Sequence, residues 1–391
     1  MKLRTGSKAL IREINEALVL DVVRARGPVA RAFIAAQTGL SPATVTGITG
    51  RLLHAGVLVE TDVVRGTGGR PARLLALGRE AVFAVGVRLT AREAYVALTD
   101  LAGEIVADHR EQLASTALAD AVDAVVTSVD AVTRRQASGE VVGIGIAVSG
   151  VVDQAGGRVR HSGTLGWENV PLRAELARAL DAPVVLDSHV NAFASAGLLY
   201  DGRLEGRDLI VFSVGQSLGA SVVVQGRIHR GFDASAGGFA HWRGVGDADR
   251  PCHCGAQGCL ETWGSRWGIE RELARRGIEA GLDADPGEVE PVLDEAARQL
   301  GVAMANASKM FGPEGVIVAF APELDLERLS RGVEAAFQAE FAHGNTAAPS
   351  LDLVIGAEAE VAKGAAYEVL APFFTAEVAQ FDDADAAGAL A

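Results

Sequence analysis

Residues 38–54 read TGLSPATVTGITGRLLH, and the pair Ser41-Pro42 within them marks a helix start. Ser41 offers a side-chain oxygen as N-cap, and proline at the first helical position has its φ preset and no N–H to leave unpaired. The helix predicted from this start runs from Pro42 to about His54. On a 100° wheel Val45, Ile48 and Leu52 fall in one narrow apolar arc. That turns Ala43, Gly47, Gly50, Arg51 and His54 outward and leaves Thr44 and Thr46 on the flanks. Each mid-helix glycine costs about 1 kcal/mol relative to alanine. A face of small residues can approach another surface closely, which gives that cost a reason.

Upstream, Ile11–Arg26 places Ile14, Leu18 and Val22 on one stripe, after Leu10 and Ile11, and stops at Gly27-Pro28. Ala30–Gln37 reads as a short helix ended by Thr38-Gly39-Leu40, and downstream Leu58–Val64 and the segment after it read as a wing. Helix, helix, turn, helix, hairpin is the order of a winged helix-turn-helix, in which Pro42–His54 holds the recognition position for a major groove. Charge agrees: residues 1–79 contain 12 Lys/Arg against 5 Asp/Glu, the rest 24 against 45. A cationic module on an anionic body suits double-stranded DNA, whereas an arginine-rich composition alone predicts no such asymmetry. The expected DNA-facing residues are Ser41, Pro42, Ala43, Thr44, Thr46, Gly47, Gly50 and Arg51. A three-helix protein-interaction module is the competing reading. The segment Arg65-Gly-Thr-Gly-Gly-Arg70-Pro71 follows. Its glycines fit a plain linker, but the flanking Arg65 and Arg70 fit insertion into a narrow A·T-rich minor groove.

With 391 residues, 49% hydrophobic and 22% charged, the chain suits two to four domains and is not a wholly disordered one. Val141–Val152 is its best apolar stretch, broken by glycines and a serine, and falls short of the ~18 residues of a membrane span. The N-terminus MKLRTGSKALIREINEALVL lacks the apolar core of a secretion signal, which predicts a cytoplasmic location. Cys252, Cys254 and Cys259 are the only cysteines and point to a metal site rather than a disulfide framework. From Ala81 the pattern predicts strands over Val82–Leu89, Ala94–Thr99 and Glu104–Ala107, a helix over Ala117–Arg135 and a strand over Val141–Val148, an α/β order.

The segments AVGVRLTAREAYVALTD, IGIAVSGVVD, GWENVPL, LDSHVNA, SVGQSLGASVVVQGRIHRG, SAGGFAHW and CHCGAQGCLE follow the order of the ROK family of repressors, open reading frames and kinases. The N-terminal ALIREINEALVL, TGLSPATV and GGRP resemble its repressor branch, and the likeness spans about residues 8–375. It implies an α/β fold class: a winged helix-turn-helix followed by a two-lobed actin-like ATPase fold. The expected division is a DNA-binding domain over 1–64 and a Gly/Arg linker over 65–80. A first lobe over 81–190, rejoined by a helix at about 361–380, precedes a second lobe with the metal motif over 191–360 and a disordered tail over 381–391.

His241 with Cys252-x-Cys254-Gly-x-x-Gly-x-Cys259 supplies one imidazole and three thiolates, a closed tetrahedral set for a structural Zn2+. A disulfide plus a free thiol is the alternative, and His253 is expected to be a solvent-facing bystander. The family's kinases place Asp-x-Gly-Gly-Thr where this chain has Arg88, Leu89, Thr90, Ala91 and Arg92. Their second phosphate loop reads Gly215-Gln216-Ser217-Leu218-Gly219 here, and the late nucleotide turn Ala319-Phe320-Ala321-Pro322. With these elements degraded, neither ATP binding nor kinase activity is expected.

The family's sugar-binding Asn-Asp pair is Ser188-His189 here, with Asn191 retained, and the Glu of Gly-Glu-x-Gly-His is Gly238, with His241 and Glu261 kept. Ser188, His189, Asn191, Gly238, His241 and Glu261 are therefore the expected effector pocket. His189 reads either as a general base or as a satisfied histidine, and Glu261 either as a sugar ligand or as support for the metal loop. Trp167 and Trp242 read as core or pocket wall, and Arg88 and Arg92 as an anion site or as paired arginines. The resulting expectation is a homodimeric or homotetrameric DNA-binding regulator, most simply a repressor, that answers to a sugar or sugar-phosphate effector. A divergent or bifunctional sugar kinase and a ligand-independent regulator are the alternatives.

Overall fold

Three helices and a small sheet open the chain: α1 (Lys8–Arg26), β1 (Val29–Ala30), α2 (Arg31–Thr38), α3 (Pro42–His54), β2 (Leu58–Val64) and β3 (Ala72–Leu77). The computed structural model describes residues 8–64, 72–134, 139–200, 206–243, 249–322, 324, 326–344 and 346–375. Arg65, Arg70 and the tail 381–391 lie outside these. Ser41 caps α3 by accepting the Thr44 N–H at 3.1 Å, and Pro42 takes the first turn. The wing sheet runs β1-β3-β2, so residues 72–77, read as part of a linker, form a strand paired with β2. Val19, Leu20 and Val23 of α1, Ile34 of α2 and Val45, Ile48 and Leu52 of α3 close over Leu58 and Leu75 of the wing. Burying side chains of this kind contributes about 1.5–3 kcal/mol each.

The rest of the described chain builds two five-stranded sheets of one plan and a smaller three-stranded one. The first lobe contains β4 (Val82–Leu89), β5 (Glu93–Asp100), β6 (Ile105–Gln112), α4 (Leu118–Thr133) and β7 (Glu140–Val148). There follow β8 (Val151–Asp153), β9 (Arg158–Ser162), β10 (Trp167–Val170), α5 (Leu172–Leu180), β11 (Val184–Ser188) and α6 (His189–Tyr200). The second lobe has β12 (Leu209–Val214), β13 (Leu218–Val224), β14 (Arg227–His229), α7 (Glu261–Gly264), α8 (Arg266–Arg275) and α9 (Pro286–Phe311). It ends with β15 (Gly315–Phe320), α10 (Leu326–Ala339) and β16 (Ser350–Ile355), before α11 (Glu358–Phe374). Beside the small sheet β10-β9-β8, the two five-stranded sheets run β11-β7-β4-β5-β6 and β14-β13-β12-β15-β16. Each is an antiparallel three-stranded meander whose first strand is extended by two parallel strands.

The chain returns to the first lobe through α11. A Cβ on Gly145 would lie 1.8 Å from the Ala365 carbonyl oxygen, and one on Gly364 1.7 Å from that of Ala192, so α11 rests backbone against backbone on β7 and α6. Its Ala366, Leu370 and Phe374 share the core of the winged helix, together with Val82 and Ala84 of β4. The winged-helix module is thus packed on the first lobe. No helix among the described residues is long and apolar enough to cross a membrane.

Candidate functional site

The outward face of α3 is as the apolar arc requires. Val45, Ile48, Thr49 and Leu52 are buried, while Ser41, Pro42, Ala43, Thr46, Gly47, Gly50, Arg51 and His54 are exposed and Thr44 is half-buried. Among the described residues, and apart from the backbone of α3 itself, nothing lies within 4 Å of a Cβ placed on Gly50, and only the Arg51 Nη1 comes that near, at 4.0 Å, to one on Gly47. Arg51 is not a free cation: its Nη2 donates to Glu16 on α1 at 2.6 Å, and Arg12 donates to the same oxygen at 3.2 Å. Burial pushes the Glu16 carboxyl up, but these two arginines outweigh it and hold the group below its ordinary range. Arg31, which the sequence reading passed over, anchors α2 on α3 by donating to Thr49 Oγ1 at 3.0 Å.

His241 closes the turn Gly238–His241, and the loop that follows folds back so that Arg243 bridges Cys259 and Pro251 bridges Gln257. The Cys252 N–H donates to the Ala256 carbonyl and the Gly258 N–H to that of Arg250, both at 2.9 Å. The ligand atoms of His241, Cys252, Cys254 and Cys259 lie within 4.8 Å of one another. His241 Nδ1 is 3.7 Å from Cys252 Sγ, and Cys254 Sγ is 3.7 Å from Cys259 Sγ. A tetrahedral ion with metal–sulfur bonds of about 2.3 Å has edges of about 3.8 Å, so the set fits such a cation. Disulfide sulfurs sit at about 2.0 Å, and all three thiols are free. Burial pushes the Cys252 thiol up to about 12 and raises Cys259 too. Thiolates at Cys252 and Cys259 therefore need a positive ion. Burial, then His253 and His161, lower His241, favouring the neutral imidazole that ligates.

Between the lobes, at the carboxyl ends of the parallel strands β7 and β11, a cavity of about 100 Å3 is lined by all six expected pocket residues: Ser188, His189, Asn191, Gly238, His241 and Glu261. Asp187, buried at the end of β11, accepts the Ser188 N–H and the Asn191 Nδ2–H on one oxygen, both at 2.7 Å. His189 is neither exposed nor poised as a base. It is buried, shares a 3.2 Å hydrogen bond with Ser213, and is pushed down to about 3 by burial and then by the Arg88 charge. Its imidazole is neutral near pH 7, with too little proton affinity for general-base work. Glu261 is buried, accepts the Leu218 N–H at 2.8 Å and lies 3.5 Å from His253 Nε2, which joins the β12–β13 turn to the metal loop.

His253 is not the solvent-facing bystander the sequence suggested. Its backbone is exposed, but the side chain is only 22% exposed, set edge-on to Trp267 and over Gly163, where any Cβ would collide with the ring. Trp167 is core, its Nε1 donating to the Thr116 carbonyl, and Trp242 lies at the surface. A larger cavity of about 830 Å3 adjoins the first and is lined by Arg88, Arg92, Ser217, Trp267 and Pro322. Arg88 is engaged there, donating to Ser149 Oγ at 3.0 Å and lying 3.6 Å from Glu358, while Arg92 sits exposed on the β4–β5 turn.

A xylose repressor of Caldicellulosiruptor bescii is 28% identical over 371 residues, covering 86% of this chain and 91% of the relative. The DNA-binding transcriptional dual regulator NagC of Escherichia coli (strain K12) is 27% identical, covering 80% and 82%. Among solved structures, a ROK family transcriptional regulator, homolog of the E. coli MLC protein, superposes with a TM-score of 0.76 at 23% identity, over 93% of this chain and 98% of its own. A ROK family glucokinase from Streptomyces griseus, in complex with glucose and AMPPNP, gives a TM-score of 0.62 at 21% identity, over 73% of this chain and 98% of its own. The winged helix and two lobes are thus one known fold. Residues 84–350 match the family description "ROK family", and the chain belongs to that family.

Proposed function

We propose that this chain is a DNA-binding transcriptional repressor. Its interlobe cavity takes a sugar or sugar-derived effector, a structural Zn2+ is held by His241, Cys252, Cys254 and Cys259, and no phosphoryl transfer occurs. The observation that carries the reading is the outward face of α3, where among the described residues a Cβ on Gly47 or Gly50 would meet no other element, only the Arg51 side chain of α3 itself at 4.0 Å from Gly47. Glycines that the fold does not need are explained by a partner surface, and a basic module selects a polyanion. The names of the relatives, xylose repressor and N-acetylglucosamine repressor, support both the regulatory role and the sugar class. A homodimer placing two copies of α3 in successive major grooves fits this role, and a DNA partner fits the cytoplasm. Against a kinase stand the arginine at position 88, the missing glycines of the first hairpin and the low proton affinity of His189.

The test is selection of a preferred duplex from a random DNA pool by the purified full chain, followed by titration of xylose, N-acetylglucosamine and its 6-phosphate into the complex. A preferred duplex released by one of these sugars is expected. Absence of any preferred duplex, or sugar-dependent ATP turnover near ~1 s⁻¹, would overturn the reading.

A further inference from the structure

Resting on the repressor reading, a second step concerns how the cavity acts on the DNA-binding module. Arg230 follows β14 in the second lobe and lines the smaller cavity. Its guanidinium donates to Asp187 Oδ2 through Nε at 3.1 Å and Nη2 at 2.5 Å, and Nη2 also reaches Glu368 Oε2 at 3.1 Å. The other Asp187 oxygen holds Ser188 and Asn191 in the cavity wall. Glu368 projects from α11, where Ser195 Oγ donates to it at 2.5 Å and Gln154 Nε2 at 3.3 Å. One arginine therefore joins the second lobe, the wall of the cavity and the last helix of the first lobe. Two largely buried carboxylates depend on that single cation, and withdrawing it from either leaves an uncompensated charge.

On its other side α11 touches the winged helix. Ala366, Leu370 and Phe374 share a core with Val19, Leu20 and Val23 of α1, and the Arg24 guanidinium lies 5.6 Å from the Phe374 ring centroid. Backbone contacts at Gly145 and Gly364 tie α11 to β7 and α6, so a change at Glu368 is passed to the first lobe and to the winged helix packed on it. We propose that Arg230 is the positioning residue that couples the interlobe cavity to the winged helix, through its shared ion pair with Asp187 and Glu368 and the packing of α11 on α1. A polar effector beside Arg230 competes for the guanidinium, frees Glu368, and lets α11 and α1 shift the seat of α3. The effector moves this equilibrium only by its differential affinity for the two arrangements.

The experiment measures the dissociation constant of the full chain for the duplex selected above, at a temperature below every variant's melting transition. Glu368→Gln removes the ion pair with little change in shape, and Arg230→Lys keeps the charge but loses the fork. Each should weaken binding at least about 5-fold without any sugar, since an unlatched α11 mimics the effector-bound state. Glu272→Gln, which breaks a buried ion cluster elsewhere in the second lobe, should lower the melting temperature yet leave the dissociation constant within about 2-fold, a separation that mere destabilisation would not give. If the pool yields no preferred duplex, the repressor reading fails and this coupling with it. If a duplex is found and both variants hold it as tightly as the wild type or more so, the coupling alone is overturned.

Discussion

The helix Pro42–His54 and the loop Cys252–Cys259 both carry paired glycines, for opposite reasons. In the loop Gly255 and Gly258 adopt φ of 85° and 68°, backbone that L-residues rarely enter, so the turn that gathers the ligands requires them. In the helix Gly47 and Gly50 have ordinary helical backbone, and among the described residues only the Arg51 side chain, 4.0 Å from a Cβ on Gly47, comes near either. The first pair is explained from within the molecule; the second finds no such reason among the described residues, and the proposed DNA contact would supply one. A glycine that the fold demands marks internal geometry; one that weakens the fold without return marks a surface built to be covered.

The largest test strikes the loop. Cys254→Ser removes one of four ligands, and the chain should lose its bound metal, about one ion per chain in the wild type. Without the ion the remaining thiols take up protons, so what is lost is the metal's binding free energy to the folded chain, about 3–4 kcal/mol where the metal is well above its dissociation constant. In a domain of this size that lowers the melting temperature by roughly 10 °C. Elemental analysis and a thermal melt check both, and a fully stable wild type free of metal would reject the site.

Next in size is Arg51→Ala, on the helix side of the comparison. If Arg51 reaches a base edge the loss is about 1–3 kcal/mol of operator affinity; if it touches a phosphate, the salt slope falls by about one unit. The ion pair with Glu16 must open or be shared for either contact, so Glu16→Gln should tighten binding slightly while Arg51→Ala weakens it. Titration at two salt concentrations separates the cases.

How far each region could be read from sequence follows from the range of its interactions. Ser41-Pro42 and the arc of Val45, Ile48 and Leu52 are local, and the helix limits Pro42–His54 came out as read. The strand starting at Val82 and the cluster of His241, Cys252, Cys254 and Cys259 carry local patterns as well. What stayed hidden is held by partners far apart in the chain. Arg51 meets Glu16 35 residues away, and Arg230 meets Asp187 and Glu368 at separations of 43 and 138. The inward turn of His253 depends on Gly163, a distant residue whose missing side chain leaves the ring its space. None of these has a periodicity or spacing that a linear reading can detect.

Helix α8 anchors the Cys252–Cys259 loop from below through Arg250. Glu272 on α8 receives Arg275 and Arg276 at 2.8 Å and faces Arg250, at the entrance to the loop, at 3.2 Å. The hydrogen bond from Arg275, helped by Arg276 and the Arg250 charge, outweighs burial and holds the carboxyl down to about 2, against an ordinary 4.5. A depressed folded-state pKa contributes stability above the unfolded value, and that contribution fades as pH falls from about 4.5 towards 2. Glu272→Gln should therefore cost about 1–2 kcal/mol at pH 7, limited by the solvent exposure of Arg275, and the gap should narrow across that acid window. Urea melts of both proteins at pH 7 and pH 3 measure it, and a gap that grows on acidification would contradict the assignment.

The smallest effect is the sharpest for the comparison, because stability and function should move in opposite directions. Gly47→Ala and Gly50→Ala each place a methyl group in open space on a helical backbone, so each should stabilise the winged helix by about 1 kcal/mol. The equivalent changes at Gly255 and Gly258 force alanine to positive φ and should destabilise the loop. If α3 lies in a groove, the same two methyl groups that stabilise the free protein meet DNA and weaken operator binding. The pair Gly47→Ala and Gly50→Ala should therefore melt higher and bind more weakly than the wild type, while Thr46→Ala at an exposed neighbouring position reports loss of a hydroxyl without added bulk. Higher melting with unchanged affinity would leave the glycines without a partner surface, and would move the DNA-contacting face away from the centre of this helix.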